Sequence, residues 1–270
     1  MKLAVSGKGG VGKSTIAGAL ALLLSRRGGK VLAVDADPDA NLAAVLGIPS
    51  AERKSIVPIA KQAELIEERT GAKVNQYGQM FKLNPKVSDI ADSFAAKFRG
   101  LTLLVLGAIE KGGGGCACPE SVLIRALVRD LILHKDDAVV MDMEAGIEHL
   151  GRATTQGVDL MIVVVEPGQR SIDCARQVMR MAGEIGLPRL LPVANKIAGA
   201  EDEAFVREAL PEFDDLLCIP MSDEIRKADR DGVSIVDVLS PELEAGFDKL
   251  LALIDSRADS KHPSPTAANP

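Results

Sequence analysis

The segment Gly7–Thr15 reads GKGGVGKST and satisfies the pattern G-x-x-x-x-G-K-[ST]. It follows an apolar run, Lys2–Ser6, and opens a segment of helical period, Lys13–Arg27. Strand, glycine-rich turn and helix in that order are the setting in which this pattern holds a phosphate chain. Gly7, Gly9, Gly10, Val11 and Gly12 form the turn, whose glycines let successive N–H groups point inward at anionic oxygens. The helix start adds the positive end of its dipole. In that frame Lys13 neutralises the β and γ phosphates, Ser14 offers its hydroxyl to Mg²⁺, and Thr15 meets the α phosphate.

Around this loop, short apolar runs alternate with helical segments. The expected strands are Lys2–Ser6, Lys30–Asp35, Leu101–Gly107, Ala138–Met143, Leu160–Glu166, Leu190–Asn195 and Leu216–Pro220. Most are continuously apolar, as strands covered on both faces are. The expected helices are Lys13–Arg27, Pro119–His134, Ser171–Ile185, Asp202–Leu210 and Pro241–Ser256. Regular alternation predicts an α/β fold: a single-domain P-loop NTPase with a mostly parallel sheet and helices on both faces. The domain is expected over residues 1–256. Residues 48–100 read as an insertion, with a helix near Ile59–Arg69 and a strand near Met80–Leu83. The polar, proline-bearing segment 257–270 is expected to be a disordered tail.

Two strands end in carboxylates. Lys30–Asp35 runs into DADPDAN, which places Asp35, Asp37 and Asp39 at the carboxyl end of a strand, where open α/β sheets bind ligands. Like charges this close repel, and a Mg²⁺–phosphate site, with Asp35 among the Mg²⁺ ligands, relieves the repulsion. The other reading gives Asp39 the role of capping a helix over Asn41–Leu46. Ala138–Met143 closes in DMEAG. An apolar strand ending in Asp is the Walker B pattern, with Asp142 on Mg²⁺, and Gly146 would give a second switch a free N–H. The strand Leu190–Asn195 ends in Asn-Lys followed by Ile197-Ala198, so the guanine-reading NKxD is absent and ATP is favoured over GTP.

The segment Glu110–Glu120, EKGGGGCACPE, presents Cys116 and Cys118 from a glycine run just before a predicted helix at Pro119. The helix start is expected to lower the thiol pKa values. One chain offers two sulfurs, whereas a soft-metal site wants four ligands; a two-fold dimer supplies Cys₄. The other readings are two small apolar residues in a glycine-rich loop, or a redox pair. Thiolates accept Ni²⁺ and Zn²⁺ alike, so the residues alone do not select the metal. Cys174 and Cys218 read as ordinary small core residues.

Lys8, an additional lysine early in the loop, makes the motif KGGVGKS. In this the sequence resembles the deviant Walker A ATPases, the group of MinD, ParA and the nitrogenase iron protein. DADPDANL and GCACPE narrow the resemblance to the CooC family, over Met1 to about Ser256. The resemblance implies an ATP-dependent homodimer in which Lys8 reaches the partner's phosphates. It also implies that Asp37 positions the attacking water, that Asn41 senses the γ phosphate, and that Asn195 reads adenine. Ile219–Glu224, with Pro220, forms the other wall of that base site. It implies nickel insertion into the apo-form of carbon monoxide dehydrogenase or acetyl-CoA synthase. The iron protein draws its bridging cysteines from two separated segments, whereas one cluster stands here, which disfavours an iron–sulfur reductase.

Composition sets the exclusions. Lys plus Arg number 32 against 38 Asp plus Glu, a net charge of −6. That balance argues against a protein held to nucleic acid or anionic lipid by its overall field. With no Trp and one Tyr, stacking platforms for single strands are not expected. No apolar run is long enough to span a bilayer, and the N-terminus lacks a signal-peptide core, so a cytoplasmic location is expected. The alternative is a MinD- or ParA-like positioning ATPase on membrane or DNA. Its membrane form needs a basic amphipathic C-terminal helix, whereas Pro241–Arg257 is more acidic than basic.

Overall fold

The apolar runs become strands because their β-branched side chains pack on both faces of a sheet. All six residues of Leu160–Val165 (LMIVVV) are buried, as are all six of Val31–Ala36. The computed structural model describes every residue except 75, 77, 109–117, 146–149, 151–154, 156, 188 and 260–270, and the side chains of 258 and 259. Its strands are β1 Lys2–Gly7, β2 Val31–Ala36, β3 Ala96–Phe98, β4 Leu101–Val105, β5 Ala138–Met143, β6 Leu160–Val165, β7 Leu190–Ile197 and β8 Leu217–Pro220. They form one sheet in the order β3-β4-β2-β5-β1-β6-β7-β8. Every neighbouring pair is parallel except β3 with β4.

Two apolar layers flank the sheet. On one face the helix Lys13–Arg26 and the last helix, Pro241–Asp259, bury Ile16, Leu20, Phe247, Leu250 and Leu251 against Val5, Ala33 and Val140. On the other, Pro119–His134 and Gln169–Ile185 bury Leu123, Leu127, Ile172 and Val178 against Met141, Met161 and Val163. This is the doubly covered parallel sheet the residue pattern predicts. It brings the carboxyl ends of β1, β2, β5 and β7 to one rim, where the loops carrying the motifs meet.

Three local expectations need correction. Met80–Leu83 is not a strand; Met80 and Leu83 are exposed in an irregular segment. The edge strand is instead β3, paired Phe98 to Leu101 through a tight turn in which Arg99 and Gly100 both have positive φ. The helix expected over Ile59–Arg69 is split into a 3₁₀ turn, Ile59–Lys61, and a helix, Ala63–Thr70. Gln62, at ψ 75°, breaks the helical path between them. The helix Asp223–Asp231 was not read from the sequence, although its signals are present. Ser222 caps it by accepting from the Ile225 amide at 3.1 Å, acidic residues open it, and Gly232 closes it at φ 68°. The last helix also runs on to Asp259, past the expected boundary at Ser256.

Candidate nucleotide site

The phosphate loop leaves β1 at Gly7, whose φ of 151° no side chain adopts comfortably, and a Cβ there would strike the Val164 carbonyl. Gly12 stands at φ 98°, and a Cβ on it would strike the Asn195 amide. The turn is therefore pressed between β6 and β7, and glycine is required at both contacts. The helix follows at once from Lys13. Lys13 is 6% exposed, and its ammonium lies 3.5 Å from an Asp37 carboxylate oxygen. A buried lysine needs an anionic partner, and Asp37 supplies it.

Asp35 and Asp142 end β2 and β5 as register partners, and both are fully buried. Burial, then the neighbouring Asp142 charge, pushes the Asp35 carboxyl up to about 7. The amides of Leu42 at 2.9 Å and Asp37 at 3.3 Å oppose that rise by donating to its two oxygens. Asp35 thus fixes the loop after β2 and caps the short helix Leu42–Val45 from seven residues upstream. Asp39 does not cap it, and no side chain caps it at Asn41; Asp39 is exposed, and its amide donates to Asp37 at 3.0 Å.

Burial raises Asp142 to about 6, with the Ser14 hydroxyl and then the Lys13 charge opposing. Ser14 acts without meeting hydrogen-bond geometry, and both Asp142 oxygens are buried with no hydrogen-bond partner. A buried carboxylate without a donor costs several kcal/mol unless a cation or proton satisfies it. Two free oxygens beside a hydroxyl are the hard donor set that Mg²⁺ takes. Among the described residues no cluster of three His, Cys, Asp or Glu side chains forms a self-contained metal cage. A cation here would draw on Ser14, Asp142 and ligand oxygens together.

Asn195 and Lys196 brace the loop from β7. The Asn195 amide donates to the Val11 carbonyl at 2.8 Å, and the Lys196 ammonium donates to the Gly10 carbonyl at 2.6 Å. Lys196 has φ 60°, unusual for a residue with a side chain, at the irregularity where β7 and β8 fall out of register. Beside the loop lies a cavity of about 400 Å³. Gly9, Gly10, Gly12, Lys13, Ser14 and Thr15 floor it, and Asp37, Asp39 and Asn41 close one side. Asn195, Pro220 and the helix Asp223–Asp231, through Ile225, Arg226 and Asp229, form the other wall. The size suits a small ligand. Of the expected site, the structure assembles the loop, Asp37, Asn41, Asn195 and Pro220 on this cavity. Asp35 and Asp142 stand beneath it as the buried ends of β2 and β5. Sequence reading missed Arg226, Asp229, Lys196 and Glu166. The first two follow from the capped helix; the others carry no motif and emerge only from the packing.

Cys118 is the N-cap of Pro119–His134, its sulfur accepting from the Ser121 amide at 3.4 Å. The expected lowering of its thiol pKa does not occur. Burial raises it, Glu120 adds to the rise, and the Ser121 amide opposes it. Cys174 and Cys218 are likewise raised by burial and pack against the core. Cys116 and Gly146 lie outside the described residues.

Parallel sheet, phosphate loop and paired carboxylates define a P-loop ATPase. Residues 2–235 match the family model described as the CobQ/CobB/MinD/ParA nucleotide binding domain. Solved structures agree on the fold. A ParA family ATPase from Chlorobium tepidum has a TM-score of 0.66 and 19% identity, covering 93% of this chain and 98% of that one. MinD from Pyrococcus horikoshii, solved with Mg-ADP, has a TM-score of 0.60 and 22% identity, covering 97% and 98%. Closer in sequence is the carbon monoxide dehydrogenase accessory protein CooC of Rhodospirillum rubrum, 44% identical over 95% of this chain and 97% of that protein. An uncharacterized ATP-binding protein of Methanocaldococcus jannaschii is 42% identical over 94% and 98%. The chain belongs to the CobQ/CobB/MinD/ParA nucleotide-binding family, in its CooC-like group, and is an ATPase.

Proposed function

We propose that the chain is a nickel-handling ATPase that works as a homodimer and serves maturation of a nickel enzyme, carbon monoxide dehydrogenase or acetyl-CoA synthase, in the cytoplasm. The observation that carries the reading is the near full-length similarity to CooC, a carbon monoxide dehydrogenase accessory protein in Rhodospirillum rubrum. ATP lies along the cavity, its phosphates on the Gly7–Thr15 loop and its adenine between Asn195 and Pro220. Ser14 and Asp142 hold Mg²⁺, with Asp35 behind them fixing the loop; the cation supplies charge neutralisation at the phosphates. Lys13 turns from Asp37 to the phosphate oxygens, which frees the Asp37 carboxylate to orient water. Lys8 reaches the phosphates of the partner subunit, and Asn41 and Gly146 follow the γ phosphate.

Nickel is the cargo, with zinc as its chemical competitor. Cys116 and Cys118 of each chain supply four thiolates across the two-fold axis. Nucleotide can change metal affinity only through a difference between the open and closed dimers, so binding and release must track nucleotide state.

The reading is favoured over a membrane-positioning ATPase by the last helix. Its apolar side, Phe247, Leu250, Leu251 and Ile254, is fully buried in the core and is not available to lipid. Among the described residues no helix is long and apolar enough to cross a membrane. Light scattering of the protein with ATP, with ADP and without nucleotide tests the proposal. It expects twice the chain mass with ATP alone, and a monomer for Lys8→Ala. A monomer throughout, or an ATP dimer that tolerates Lys8→Ala, would contradict it.

A further inference from the structure

Glu166 follows β6 and lies between two lysines. One carboxylate oxygen is 3.4 Å from the Lys8 ammonium and the other 3.1 Å from that of Lys196. The arrangement is held from behind. The Glu166 amide donates to the buried Ser171 hydroxyl at 3.0 Å, which fixes the start of the side chain. Lys196 is anchored by the Gly10 carbonyl at 2.6 Å. Lys8 comes one residue after Gly7, which pairs with Val164 across β1 and β6. The parallel ladder itself therefore brings Lys8 beside Glu166. Three groups of one chain meet here, and the nucleotide mechanism gives Glu166 nothing to do.

We propose that Glu166 is a latch for Lys8, holding its ammonium in the free chain and releasing it when the nucleotide dimer forms. The idea rests on the reading above that Lys8 crosses to the partner's phosphates. A lysine that must reach another subunit has to be kept from wandering and yet let go at small cost. A single carboxylate shared by two ammonium groups meets both needs. When Lys8 leaves, Glu166 is not orphaned, because Lys196 stays 3.1 Å away. Lys8 is 37% exposed and Glu166 26%, so solvent screens the contact and the latch is weak. Glu166 is a positioning residue: it touches no phosphate, and acts by setting where Lys8 starts from.

The test has two readouts. In nucleotide-free protein, acylation of Lys8 by a succinimidyl ester, followed by peptide mass spectrometry, should run about two- to five-fold faster in Glu166→Gln. With a saturating non-hydrolysable ATP analogue, the concentration at half-dimerisation should fall by a similar factor in Glu166→Gln. It should rise in Lys196→Met, where Glu166 has Lys8 alone. The Glu166→Gln/Lys8→Ala double variant should stay a monomer, as Lys8→Ala does alone. Unchanged Lys8 labelling, a weaker dimer in Glu166→Gln, or a dimer in the Glu166→Gln/Lys8→Ala double variant would each overturn the latch. Faster labelling in Glu166→Gln with no dimer in any variant would overturn the dimer reading and the latch's role in it, while leaving the contact itself in place.

Discussion

Asp35 and Asp142 stand side by side in register on β2 and β5, both fully buried, both held well above the ordinary carboxylate range. Sheet register alone creates this pair, and the loops above it use the two acids differently. Asp35 accepts two backbone amides and fixes the segment leading to Asp37. Asp142 has no hydrogen bond and faces Ser14 and Lys13. One carboxylate builds the loop, and the other keeps both oxygens without a hydrogen bond.

A proton count follows from this. The unfolded chain gives up these two protons near pH 4, at about the ordinary carboxylate value, and the folded chain only near 6 and 7. Between those values the folded state holds more protons, so the pair's contribution to stability declines as pH rises from about 4 to about 7. Binding Mg²⁺ with nucleotide favours the ionised forms. At pH 6, near the Asp142 value, binding should release about half a proton from that residue. Calorimetry in two buffers of different ionisation heat measures it. Proton uptake would contradict the assignment.

Asp142→Asn separates stability from function. Without nucleotide at pH 8 the variant should be more stable than wild type, by on the order of 1–2 kcal/mol, because a buried charge without a donor is gone. Mg²⁺-dependent hydrolysis should be lost. A thermal melt and an ATPase assay on the same sample check both; destabilisation together with retained hydrolysis would contradict the role.

Asp37→Ala should slow hydrolysis by about 10²- to 10⁴-fold, the range expected when a group that positions or deprotonates a nucleophile is removed. ATP affinity should be kept or improved, since Lys13 loses its competing partner at 3.5 Å. Single-turnover kinetics with separate equilibrium binding distinguish this from loss of a purely structural ion pair, which would leave the chemical step unchanged.

Asn195→Ala leaves the buried Val11 carbonyl without its donor. A cost of about 1–3 kcal/mol is expected, together with weaker nucleotide binding. Gly12→Ala should be worse, because its Cβ meets the same Asn195 amide and the φ of 98° is unfavourable. Denaturant melts with and without nucleotide compare the two. Equal tolerance of both would show that β7 does not brace the loop.

Cys118 carries a structural duty apart from its proposed metal role. Cys118→Ser keeps a helix cap and should match wild-type stability, whereas Cys118→Ala should lose about 0.5–1 kcal/mol. Both should lose metal. Serine is therefore the cleaner variant for metal experiments, and melts of the two check the difference.

Much of this was legible in the sequence. The motif GKGGVGKST and the apolar runs ending in Asp35 and Asp142 depend on local pattern, so the strands, the loop and each acid could be read directly, but not the pairing of the two acids across β2 and β5. Asn195, inside β7, was singled out by the family resemblance, with the alternation supplying only its strand. Partners contributed by distant strands could not be read. Glu166 meets Lys8 and Lys196 only because β6 lies between β1 and β7. Met80–Leu83 misled because an exposed apolar run looks like a strand when nothing shows whether a neighbour pairs with it. The raised Cys118 thiol misled for a related reason: burial, which sequence does not show, outweighs the favourable helix end.

In the proposed function, nucleotide state and metal binding are coupled through a dimer. Titration of Ni²⁺ into reduced, anaerobic protein, with ATP, with ADP and without nucleotide, tests it most directly, with mass measured by light scattering in the same run. One Ni²⁺ per two chains, an affinity that differs between ATP and ADP, and no binding in Cys116→Ser/Cys118→Ser are expected. The same Ni²⁺ affinity in both nucleotide states, or binding that survives in the double variant, would contradict it.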